Sequence, residues 1–306
     1  VNRGAIDVNA NTNGNTTIHW DAGLTVGGIA GSMLGYVDKC DNYGKITLSG
    51  GKIKAFHIGG VAGTSRPRMF TNCHNHTSGT IEVGESVRAW SVNVAGLLAG
   101  YTRSSLYTGE EVADCSNDGA LTVKCSTDTA IALGTYYYRV AGIFCYANQT
   151  SRNCENKANG DITVSGDVIL ARNNDQSCFG VCGTVAYHTT EGNTYQTVNR
   201  GDLNIYVNVS MHSGITNTAY CKLNIGGLGG YHTRALLEKA ENYGHITIGK
   251  AGVAQTISAN GIYIGGVMAH GASIACNPVN EGNITIHDKV TLNSGVDIYI
   301  GGIGGF

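Results

Sequence analysis

Ten cysteines, ten histidines and sixteen tyrosines in 306 residues are the side chains with chemistry to offer. No Cys-x-x-Cys pair occurs. Instead Cys40, Cys73, Cys115 and Cys154 each stand two residues before an asparagine, Asn42, Asn75, Asn117 and Asn156. If each asparagine marks one coil of a stack, the four thiols share one station. Three readings stand: a ladder of small buried thiols packing as compact apolar groups, disulfides between neighbouring coils, and a metal site. A coil spacing near 4.8 Å suits the usual disulfide Cα separation, but parallel side chains would have to turn toward each other. A second column is aromatic. Tyr146, Tyr187 and Tyr231 fall four residues after a recurring glycine, His270 holds the same offset, and His188 and His232 come one position later. Stacked tyrosines offer flat apolar faces with polar tips, which suits sugar rings, so Tyr146, Tyr187, His188, Tyr231, His232 and His270 are the candidate ligand-binding residues. The competing reading is an aromatic ladder that stabilises adjacent coils. A zinc site from His188, His232 and His270 lacks a cysteine or carboxylate recurring at ligand spacing.

Catalytic patterns are missing. The chain has no His-Glu-x-x-His, no Walker-type phosphate loop and no Gly-x-Ser-x-Gly. Its many Gly-x-Gly strings are repeat glycines. The notable acids are Glu110, Glu111 and Asp114, but adjacent acids on a strand point to opposite faces, so they read as a solvated loop. The expectation is therefore no catalytic residues, no metal and no cofactor. Charged residues make up 14% and the net charge is -2, which removes any electrostatic case for nucleic acid or an anionic membrane. Few charges with only 2 prolines argue against a disordered tail. No apolar run reaches the roughly 20 residues of a membrane span.

Positioning these residues falls to a repeat. Glycine followed by alternating apolar positions, as in Gly44-Lys-Ile46-Thr-Leu48, recurs from Gly4, Gly44, Gly79, Gly119, Gly160, Gly201, Gly244 and Gly282. The mean spacing is about 40 residues. Asn-x-Gly precedes six of these glycines, at Asn2, Asn42, Asn117, Asn199, Asn242 and Asn280, and two residues are inserted after Asn75 and Asn156. This is turn chemistry, because asparagine bonds back to its own backbone and both residue types tolerate positive φ. A later block places an apolar residue, a small residue and glycine, as in Ile58-Gly-Gly60 and Val140-Ala-Gly142. Glycine weakens a strand, so this block implies close backbone approach or a bend at the same height of every coil. Period-two alternation, fixed turns and almost no helix-period segment predict an all-β chain, a parallel β-solenoid (β-helix) of about eight repeats of about 40 residues. Inward Ile, Leu and Val would stack coil on coil. Whether a repeat makes one wide coil or two narrow ones stays open at this point.

The order Gly-Gly-[Ile/Val]-Ala-Gly, then an apolar stretch ending in Asn-Cys or a similar pair, then Asn-x-Gly-x-Ile-x-Val, resembles the GLUG-type repeats of large bacterial surface proteins. These include the non-catalytic parts of some secreted immunoglobulin A peptidases. Residues 27–48 and 59–83 carry the resemblance best. It implies a β-solenoid, an extracellular or cell-surface location, and no catalytic residues. The sequence opens at an Asn-x-Gly turn and closes on Ile303-Gly-Gly-Phe306, neither end reading as a cap, so residues 1–306 are expected to be one solenoid domain within a longer chain. The expected function is a structural or adhesive stalk or filament shaft, with neighbouring segments, head-to-tail copies of itself or glycans as partners. The alternative is a glycan-binding or glycan-degrading β-helix of the tailspike or polysaccharide-lyase kind.

Overall fold

A computed structural model describes residues 1–10, 23–101, 111–130, 136–147, 150–171, 179–188, 193–215, 218–232, 236–271 and 274–305. The named strands pair in parallel, coil on coil, and the helical content among these residues is one 3₁₀ turn, Thr218–Tyr220. The coil beginning at Gly44 shows the order of parts: strands Ile46–Gly50, Lys52–Gly59 and Ala62–Thr71, then a two-residue bridge His74–Asn75.

Successive repeats lie in direct register. Ile6, Ile46, Ile81, Leu121, Ile162, Leu203, Ile246 and Ile284 form one column, each paired with the next. The second strand gives Leu24, Phe56, Val92, Tyr138, Phe179, Leu223, Ile262 and Ile298 in the same way. One repeat therefore makes one wide coil, and eight rungs span roughly 34 Å at the usual strand spacing. The apolar alternation does what the sequence predicts: Ile46, Leu48, Ile81, Val83, Leu121 and Val123 are buried in the core between first and second strands. Each such side chain contributes about 1.5–3 kcal/mol relative to exposure. A second interior, with Phe70, Leu97, Leu98, Phe144 and three of the thiols, lies beside the third strand and the bridge.

The asparagines do more than turn a corner. Each donates from Nδ2 to the Oδ1 of the asparagine one coil later, at 2.8 Å in all seven steps from Asn2 to Asn280. The second Nδ2 proton goes to the carbonyl of its own repeat glycine, as Asn117 does to Gly119 at 3.0 Å. Oδ1 also accepts the N–H of Gly4, Gly44 and Gly119 in three coils. Six of the eight asparagines are buried to within 1%. Both donors of such an amide are used, which is what burial requires of it.

Two glycine columns enclose this ladder. A side chain at Gly142 would collide with the Gly183 carbonyl and the Asn156 amide; one at Gly201 would meet the Gly160 carbonyl and the Asn156 Nδ2. The close backbone approach read from the Gly-Gly block is thus the approach of one rung to the next across the asparagine. Positive φ falls elsewhere than on the asparagines themselves. It falls three residues earlier, at Lys39, Asn72, Asp114, Asn153, Gln196, Lys239 and Asn277, with φ between 50° and 55°. There the chain swings from third strand into bridge while its N–H still bonds the next coil, as Asp114 does to Arg152 at 3.1 Å.

Asn117→Ala is expected to cost about 2–5 kcal/mol in chemical denaturation, because it strands the Asn75 Nδ2 proton and the Asn156 Oδ1 in the interior. Lys239→Gly should raise stability by about 1 kcal/mol, since an exposed non-glycine side chain in the left-handed region carries a steric cost that glycine lacks.

Candidate functional site

The aromatic column forms as its spacing predicts. Tyr146 stacks on Tyr187 at 5.1 Å and 15°, Tyr187 on Tyr231 at 5.4 Å and 11°, and Tyr231 meets His270 at 4.9 Å and 54°. Register aligns Tyr187 with Tyr231 and Tyr231 with His270. Tyr187 and His270 are buried, while Tyr146 and Tyr231 are half-buried. The tyrosine faces are occupied by one another, so edges are what the column offers to a ligand. His188 aligns with His232 along the backbone, and its side chain lies outside the described residues. His232 is buried on the opposite face of its strand from the tyrosines and packs on Gly229. His232 and His270 therefore do not converge, and among the described residues no three His, Cys, Asp or Glu side chains gather to hold an ion. Of the acids, Glu110 lies outside the described residues, and exposed Asp114 accepts a bond from Asn153 at 3.0 Å.

A second column completes this one and was legible only as an offset. Three residues before the block glycine stand Thr25, His57, Asn93, Arg139, Gly180, Asn224, Tyr263 and Tyr299, in mutual register. The two columns face each other across the Gly-Gly turn and fill one another's gaps. His57 occupies the space that a side chain at Gly100 would need. Arg139, 4% exposed, lays its guanidinium 3.9 Å over Tyr137 and 4.6 Å over Tyr187. Tyr263 stacks on His270 at 4.1 Å and on Tyr299 at 5.5 Å. Rings and cations in this seam stabilise one another by ring-face attraction. Burial, with a smaller push from Lys222, takes the His270 imidazole down to about 4, and burial takes the Tyr187 phenol up to about 12. Both groups are neutral at pH 7.

The variable segments build a second aromatic feature that repeat spacing could not show. Trp90 and Tyr136, both half-buried, meet edge to face at 5.3 Å and 67°. With Thr127 and Ile169 they line a shallow recess, and Lys54 lies 5.3 Å over the indole.

The thiols keep their station as well, and all four are free. Cys73, Cys115 and Cys154 are buried and Cys40 is half-buried. Each sulfur donates to the carbonyl two residues before it: Asp38, Thr71, Ala113 and Arg152, at 3.7, 3.1, 3.1 and 3.4 Å. In the next rung Thr197 takes the same place and its Oγ1 makes the same bond, to Tyr195 at 3.2 Å.

Comparison with protein-family models, with curated proteins and with solved structures gives no match to this chain.

The seam makes stability depend on acid. An unfolded histidine titrates near 6.5, so below that pH the unfolded chain binds a proton that folded His270 refuses until about 4. Stability should fall as pH drops through this window. Burial depresses His74 too, so His270→Phe should flatten the slope without abolishing it, as read from denaturation midpoints at pH 7, 6, 5 and 4.5.

Proposed function

We propose that this chain is a non-catalytic structural segment, a stalk or filament shaft, of a bacterial extracellular or cell-surface protein. The observation that carries the reading is the unbroken asparagine ladder from Asn2 to Asn280. Every rung is tied to the next by the same buried amide bond, by matched apolar columns and by parallel backbone pairing. Such a stack resists bending and extension along its axis, which is what reach and rigidity at a surface require. The repeated stations serve packing: the repeat glycines in close approach, the apolar positions in the core, and the Tyr/His column largely in ring-to-ring contact. The surface location follows from the resemblance of the repeats to GLUG-type segments, and the partners are neighbouring segments or copies of the same kind.

A second reading, glycan binding, is favoured by the recess at Trp90 and Tyr136, where half-buried rings are not covered by their own ladder.

Immunogold electron microscopy of native cells should show this segment within continuous rods or stalks at the surface, and a polysaccharide panel should yield no released sugar. Short closed particles together with sugar release would overturn the structural reading. A change in Trp90 fluorescence on adding neutral oligosaccharides to a Trp20→Phe chain, lost in Tyr136→Ala, would establish the second.

A further inference from the structure

A structural role asks only for a small side chain at the thiol station. Thr197, Ala240 and Pro278 occupy it in the later coils. Four consecutive cysteines are more than packing needs. Their bridge neighbours pair Asp41 with His74, His74 with Ser116 and Ser116 with Glu155, so the cysteines one residue earlier stand directly above one another. Each thiol bonds its own carbonyl two residues back. Three of them also reach a carbonyl of the preceding coil: Cys73 to Val37, Cys115 to Phe70 and Cys154 to Val112. The side chains therefore share one orientation, and translation by one rung sets their sulfurs about 4.8 Å apart.

That separation selects a chemistry. A disulfide needs sulfurs about 2.05 Å apart and so needs these parallel side chains to rotate. Zinc needs four ligands around one point, and no three candidate ligands converge among the described residues. A soft ion held linearly by two sulfurs, at metal–thiolate bonds a little over 2 Å long, needs sulfurs a little over 4 Å apart, near the rung spacing. From this geometry we infer that the column is a site for a soft monovalent ion of the copper(I) class. One ion is bridged by Cys40 and Cys73 and a second by Cys115 and Cys154. In each pair one thiol releases its proton to solvent, and the resulting thiolate with the neutral thiol of its neighbour holds the monovalent ion. The pair remains uncharged and no electron is transferred. Half-buried Cys40 gives the column its opening to solvent.

The test uses the reduced full chain with Cys276→Ser, which removes the exposed thiol. Copper(I) held by bicinchoninate is titrated under anaerobic conditions with a phosphine reductant, and ions transferred are counted from the loss of chelate colour. Two ions per chain are expected, with one lost in Cys73→Ser and one in Cys115→Ser, the affinity of the affected pair falling at least about 100-fold. Thr197 shows that a hydroxyl is accepted at this station, and circular dichroism with denaturation verifies that both variants fold. Cys221→Ser, a buried thiol outside the column, should leave both ions in place. Failure of the chain to take copper(I) from the chelator would overturn the inference. So would full binding by a folded Cys73→Ser/Cys115→Ser double variant, or displacement of the copper by equimolar zinc.

Discussion

One hydrogen bond, asparagine amide to asparagine amide at 2.8 Å, sets the terms for the rest of this molecule. A primary amide has two donors and an acceptor with two lone pairs, and the ladder uses them axially and locally at once. An aspartate would lack the donors and a glutamine would overshoot the corner. Because all seven axial bonds run from the earlier coil to the later one, the amide dipoles align and polarise one another, strengthening a chain of bonds that lies out of water.

The other regularities follow from lodging that amide between rungs. Backbone must come close on both sides, so glycine recurs in two columns where any side chain would strike a carbonyl or the amide itself. The chain must also enter the bridge from the third strand at a fixed angle, and it does so through one left-handed residue per coil. Lysine and glutamine hold that conformation at Lys39, Gln196 and Lys239 although neither residue type favours it. Their tolerance shows that the surrounding bonds outweigh the local preference. Register is fixed too. A slip of one residue would turn Ile46 and Leu48 outward and bring the asparagines out of line.

Within that frame, columns specialise by what stacks well at one rung spacing. Rings stack on rings, so tyrosines gather where the two columns meet, and Arg139 lies over them. Thiols line up where the bridge leaves space for a small side chain. The variable segments escape the repeat, and it is there that Trp90 and Tyr136 meet. Repeated stations hold the stack together; departures from the period make its surface individual.

The sequence by itself determined the class of fold, since alternation of period two and turns every 40 residues or so leave few ways to bury Ile and Val. It also determined which glycines open each strand, which cysteines share a station, and that Tyr146, Tyr187 and Tyr231 would align. Those are properties of spacing along one chain. Tertiary structure decided that one repeat makes one wide coil, that the asparagines bond each other as well as their own turns, and that positive φ lies three residues before them. It decided too that Arg139 and Tyr263 complete the aromatic seam and that His232 and His270 part company across a strand. Each of these depends on side chains about 40 residues apart coming within bonding distance, and loops of unequal length hide that pairing from a count along the sequence. Only register, imposed by the ladder, brings the columns together.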